Sequence, residues 1–104
     1  MDWTPTVRLS RLQREQRCIW PLGDNEVLLL WYAESVYAFE NRCPHQGFAL
    51  ENSVLDAAEH SLSCPLHQWR FRLGTGQCLH NQSALKVYET RLQDQRVWIR
   101  LPGG

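Results

Sequence analysis

Two short motifs bring thiol and imidazole side chains close together: Cys43-Pro44-His45 and Cys64-Pro65-Leu66-His67, with eighteen residues between His45 and Cys64. Thiolate and neutral imidazole both bind zinc and iron. In each motif a proline follows the cysteine, fixing φ and stiffening the backbone between the donors. A structural zinc site with two cysteines and two histidines usually takes its cysteines from one knuckle and its histidines from another element. Here the types are interleaved, and a single residue between Cys43 and His45 is tight for two bonds to one ion. The crowding disappears if each motif serves two adjacent metal ions, the cysteines binding one and the histidines the other. On donor types alone, a zinc-binding structural module built on the same four residues stays open.

The two-ion arrangement is that of a Rieske [2Fe–2S] centre, in which two histidines replace two cysteines on one iron. The stretches CPHQG (43–47) and CPLHQWRF (64–71), with the TG that follows (75–76), resemble the two cluster-binding loops of the Rieske ferredoxin family. The resemblance extends to VYAFENRCPHQG (36–47), Leu50, GTGQC (74–78) and ALKVYE (84–89), and covers about Thr6 to Leu101. It implies one [2Fe–2S] cluster per chain, with Cys43 and Cys64 on an inner iron and His45 and His67 on an outer one. Backbone N–H groups of Gln46, Gly47, Phe48, Gln68 and Trp69 would then hydrogen-bond the sulfides and thiolates. The implied fold is an all-β sandwich of three antiparallel sheets, with both cluster-binding loops at one end. The implied activity is that of a one-electron carrier, not an enzyme in its own right. It would accept electrons from a flavin-dependent or other reductase and pass them to a terminal oxygenase or similar oxidoreductase. A small subunit of a larger reductase, such as nitrite reductase, is the second implied role.

The redox consequence follows from charge. The oxidised core of two ferric ions and two sulfides is doubly positive. Four thiolates would make the site doubly negative, whereas two thiolates and two neutral imidazoles leave it neutral and easier to reduce. The high-potential members, those of cytochrome bc complexes, carry a disulfide where this chain has Phe48 and Leu66, and hydroxyl donors where it has Trp69 and Phe71. Without those donors, the expectation is the lower part of the Rieske range of roughly −150 to +300 mV. Gln68 and Ser53 stand where the family favours glycine, and Ala84 where it often has proline.

The elements that must position these residues read as short strands. TVRL (Thr6–Leu9), RCIWPL (Arg17–Leu22) and SVYAFE (Ser35–Glu40) alternate or are β-branched, and EVLLLWY (Glu26–Tyr32) reads as a buried strand. GDNE (Gly23–Glu26) and the AES segment (33–35) are turns. WRFRL (Trp69–Leu73) puts Trp69, Phe71 and Leu73 on one face and two arginines on the other. LKVYETRL (Leu85–Leu92) and RVWIRL (Arg96–Leu101), joined by a QDQ turn, predict a C-terminal hairpin. No segment carries a long helical period. The stretch from Phe48 to His60 reads as a long loop with a helical turn at VLDAAE (54–59). Cys18 and Cys78 read as small buried hydrophobes, and His60 and His80 as surface residues.

A chain of 104 residues fits a single domain, 1–104, with its core at about 6–101. Its formal net charge of zero argues against nucleic acid, whose phosphates demand a basic surface. Arg8, Arg11, Arg14 and Arg17 recur every third residue, as a solvated face does. No apolar run is long enough to span a membrane, and the N-terminus lacks a secretory pattern, so the expected location is the cytoplasm.

Overall fold

The computed structural model describes residues 3–42, 50, 53–56, 58–64, 69–79 and 82–100. Among them run nine strands and one helix: β1 (Thr4–Arg8), α1 (Leu9–Glu15), β2 (Arg17–Leu22), β3 (Asn25–Tyr32), β4 (Ser35–Glu40), β5 (Val54–Asp56), β6 (Ser61–Ser63), β7 (Arg70–Arg72), β8 (Val87–Gln93) and β9 (Arg96–Arg100). All pairings among them are antiparallel, so the chain is all-β with one short helix. The larger sheet has the order β1-β9-β8-β4-β3-β2 and the smaller the order β5-β6-β7. Among the described residues the two halves of the larger sheet meet at two register pairs, Ala38↔Tyr88 and Phe39↔Val87.

Strand β3 explains its own unbroken apolar run. Val27, Leu28, Leu29 and Leu30 are all buried, because successive side chains enter different cores. Leu28 and Leu30 join Phe39, Leu50, Leu62, Cys64, Phe71, Leu73, Cys78 and Leu85, a cluster drawn from both sheets. Val27 and Leu29 join Val7, Leu12, Cys18, Ala38, Tyr88, Val97 and Ile99. The turns are as local as the sequence suggested. Ala33 and Glu34 (φ 52° and 64°) join β3 to β4, and Asp94 and Gln95 (φ 55° and 63°) join β8 to β9. Two consecutive left-handed residues match the twist of the strands they connect.

Two expectations are corrected. Leu9–Glu15 is an α-helix, where the sequence predicted strand up to Leu9 and no helix after it. Leu12, fully buried, anchors it, and Gln16 ends it in the left-handed conformation, donating its N–H to the Leu12 carbonyl. Arg11 and Glu15 pair across one turn of its exposed side at 3.0 Å. At 54–59, the expected helical turn is instead strand β5 and a side-chain-capped turn. Asp56 Oδ1 accepts the N–H groups of Ala58 and Glu59 at 3.0 and 3.2 Å, which folds the chain back so that Val54–Asp56 pairs with Ser61–Ser63.

The alternation of WRFRL is present as expected. Phe71 and Leu73 are buried, Trp69 packs against the same core, and Arg72 is exposed. Arg70 pairs with Glu59 at 2.8 Å. Among the described residues no helix is long and apolar enough to cross a membrane.

Candidate metal centre

Both Cys–His motifs fall between described residues that border the core shared by the two sheets. The first connection departs from β4 and returns at Leu50, which is fully buried. Asn41, directly after β4, is 7% exposed and holds both ends of this loop. Its backbone N–H donates to the Glu26 carbonyl at 2.8 Å, and its Nδ2 donates to Glu26 Oε1 at 3.3 Å. Its Oδ1 accepts the N–H of Leu50 at 2.6 Å. Asn41 also lines an open hollow of about 380 Å³ with Asp24, Asn25, Glu26, Glu40 and Arg42.

The exit of that loop is fixed a second time, at Ser53. Its hydroxyl and its N–H both donate to the Leu50 carbonyl, at 2.5 and 2.9 Å, and its own carbonyl accepts Arg17 Nη1 at 2.8 Å. Burial lowers the Arg17 pKa, as expected for a guanidinium drawn off the surface. Ser53 is thus a working departure from the family's glycine: its hydroxyl adds a second bond to a turn that glycine would tie through its backbone N–H alone. The contact between Arg17 and the Ser53 carbonyl could not be read from the sequence, because the two residues lie 36 positions apart.

The second connection is shorter. Cys64 follows β6, and its N–H donates to the carbonyl of Trp69 at 2.9 Å, closing the loop just before β7. Cys64 is a free cysteine with no exposed surface. Cys43, His45 and His67, together with Gln46, Gly47, Phe48 and Gln68, lie outside the described residues. Of the nine residues expected at the site, Cys64 and Trp69 are therefore the two whose surroundings can be stated. Cys64 is buried in the core cluster with Leu62, Phe71 and Leu73, and its free thiol could serve as a ligand of the inner iron of a mixed-ligand cluster. Trp69 is half-buried against the same core. A free, buried thiol at Cys64 fits such a cluster.

Cys18 and Cys78 are free and buried, in different cores: Cys18 with Val27 and Leu29, Cys78 with Leu28 and Leu30. Burial pushes the Cys18 thiol pKa up. Both are the small apolar residues the sequence suggested. His60 is exposed and lies edge-on against the Tyr32 ring, with centroids 5.5 Å apart; His80 lies outside the described residues.

The family model for the Rieske-like [2Fe–2S] domain matches residues 2–100. The chain belongs to this family. The cofactor of such a Rieske domain is a [2Fe–2S] cluster rather than zinc. Among curated relatives, this Rieske domain is 33% identical to the ferredoxin component of the naphthalene 1,2-dioxygenase system of Pseudomonas aeruginosa, with 95% of each chain covered. It is 31% identical to the small subunit of the NADH nitrite reductase of Escherichia coli, covering 95% of this chain and 97% of that one. Among solved structures, the ferredoxin of carbazole 1,9a-dioxygenase from Nocardioides aromaticivorans superposes with a TM-score of 0.82 at 24% identity, covering 95% of this chain and 97% of that one. That likeness establishes the fold.

Proposed function

We propose that this Rieske domain is a ferredoxin: a one-electron carrier that takes electrons from a flavin-dependent or other reductase and delivers them to a terminal oxygenase or similar oxidoreductase. The observation that carries the reading is the similarity to a dioxygenase-system ferredoxin across 95% of both chains. The chain transforms no substrate. It works as a single domain over 1–104, in the cytoplasm.

Cys43 and Cys64 hold one iron, and His45 and His67 hold the other. When bound, the cluster supplies a one-electron couple at a neutral site. The chain's residues set its surroundings. The burial of Cys64 keeps water from the thiolate side. N–H groups of Gln46, Gly47, Phe48, Gln68 and Trp69 stabilise the charge on the sulfurs. Trp69 and Phe71 offer no hydroxyl where high-potential members have one, and Phe71 is buried. The potential therefore falls in the lower part of the range of roughly −150 to +300 mV.

Anaerobic purification with iron, zinc and acid-labile sulfide analysis tests the cofactor and the ligand set. The expected result is equal iron and sulfide, a visible spectrum and a reduced-state EPR signal of mixed histidine–cysteine ligation. A colourless protein with one zinc and no sulfide rejects this reading. A second reading, a resident subunit of a larger reductase, draws on the 31% identity to the nitrite reductase small subunit. Size exclusion of the native protein separates the two: a free carrier elutes alone, a resident subunit with its complex.

A further inference from the structure

We propose that Asn41 is a positioning residue for the cluster. Its side chain clamps the base of the first ligand loop and thereby sets where Cys43 and His45 meet Cys64. The inference rests on the ligand assignment above and adds to it a residue that binds no metal.

Asn41 makes three hydrogen bonds to two separate parts of the chain. Two go to Glu26 at the start of β3, from the backbone N–H and from Nδ2, and one comes to Oδ1 from the N–H of Leu50. Residues 41 and 50 are the two ends of the loop that carries Cys43 and His45. Leu50 is fully buried in the cluster of side chains that also contains Cys64. A continuous series of contacts thus runs from β3 through Asn41 and Leu50 to Cys64, and both ends of the first loop are referenced to the second. The 2.6 Å bond is made where water is excluded, so removing its acceptor leaves a buried N–H without that partner. Asparagine is suited to the place because one planar group accepts on one side and donates on the other. Aspartate keeps the acceptor for Leu50 but loses the donor to Glu26 and sets two carboxylates against each other.

The test compares loaded wild type with Asn41→Ala, Asn41→Asp, the double variant Asn41→Asp/Glu26→Gln, and Val97→Ala. Val97→Ala loosens the other core, which among the described residues contains neither Leu50 nor Cys64. Three quantities are read on each: the rate of iron release to a chelator, the reduced-state EPR line shape and the thermal unfolding midpoint. Asn41→Ala and Asn41→Asp are expected to release iron roughly tenfold faster and to broaden the EPR signal, the size of effect set by one buried hydrogen bond. The double variant restores both bonds with donor and acceptor exchanged on one side: the new carboxylate at position 41 accepts from the Leu50 N–H and from the new amide at position 26. It is expected within about twofold of wild type. Val97→Ala is expected to lower the midpoint with the EPR line shape unchanged. If Asn41→Ala does not fold, Asn41→Asp against the double variant decides. Equal iron release and line shape in that pair overturn the inference, as does a Val97→Ala protein that loses iron as fast as the Asn41 variants. A wild type without labile sulfide overturns the ligand assignment and the inference with it; a loaded wild type whose Asn41→Asp variant behaves identically overturns the inference alone.

Discussion

The base of the second loop is closed main chain to main chain, Cys64 N–H to the Trp69 carbonyl at 2.9 Å, whereas the base of the first is closed through a side chain, Leu50 N–H to Asn41 Oδ1 at 2.6 Å. Distance along the chain accounts for the difference. Cys64 and Trp69 leave and enter adjacent strands of one small sheet, so the last rung of the β6–β7 ladder nearly suffices. Asn41 and Leu50 are nine residues apart, and the chain after Leu50 continues to a different sheet. No ladder among the described residues reaches across, so polar side chains bridge the gap: Asn41 from one end, Ser53 and Arg17 from the other. The base of the short loop is closed by secondary structure, and the base of the long one by a few replaceable residues.

The sharpest way to test this contrast is at the proposed ligand Cys64. Cys64→Ala leaves the backbone closure of the second loop intact and removes only the thiol, so the expected outcome is complete loss of iron and sulfide with the far-UV circular dichroism retained. Loss of the fold as well would mean that the second loop, too, depends on its side chain. Next in size is Leu50→Ala, which removes the apolar anchor of the first loop. It should cost about 2–5 kcal/mol in urea unfolding. A value near zero would show that the polar bridge alone holds that loop. Ser53→Ala deletes one hydroxyl bond to the Leu50 carbonyl while the backbone bond remains, and about 0.5–1.5 kcal/mol is expected by the same measurement.

The smallest effect belongs to a residue outside both loops. Burial raises the Cys18 thiol above its ordinary value of 9.0, so the folded state favours the neutral form. Its contribution is whole below pH 9.0 and is lost as pH rises through the folded-state value. Cys18→Ala should flatten that alkaline decline. It should do so equally in wild type and in Ser53→Ala, because among the described residues Cys18 packs in the core that contains neither Leu50 nor Cys64.

Much of the fold was legible because its signals are local. The four-residue run from Val27 to Leu30 announces a strand buried on both faces, and the alternation around Phe71 announces one buried on a single face. The helix was not legible. Leu9–Glu15 is under two turns long and has one fully buried residue, so no period can develop, and its arginines read as surface. Strand β5 was misread because Leu55, Ala57, Ala58 and Glu59 are good helix formers; the Asp56 side chain and the edge of β6 override them. At the site, the donor motifs were visible as residue types at fixed spacing. The Asn41–Leu50 and Arg17–Ser53 bonds were not, since a polar residue before a loop does not reveal its distant partner.

Strand β1 pairs with β9, so Thr4 lies opposite Ile99, and the first and last strands of the domain are neighbours. The Thr6 hydroxyl donates to the Val97 carbonyl at 2.7 Å, and Arg96 Nη1 donates to the Thr6 carbonyl at 2.6 Å across the same seam. During synthesis β1 therefore waits for almost the whole chain before it gains its partner, while both loop bases are already complete in sequence. The same seam makes the molecule suited to circular permutation. Joining its ends with a short linker and reopening it at the exposed turn of Asp94 and Gln95 would turn the last hairpin into new termini and leave both ligand loops uncut.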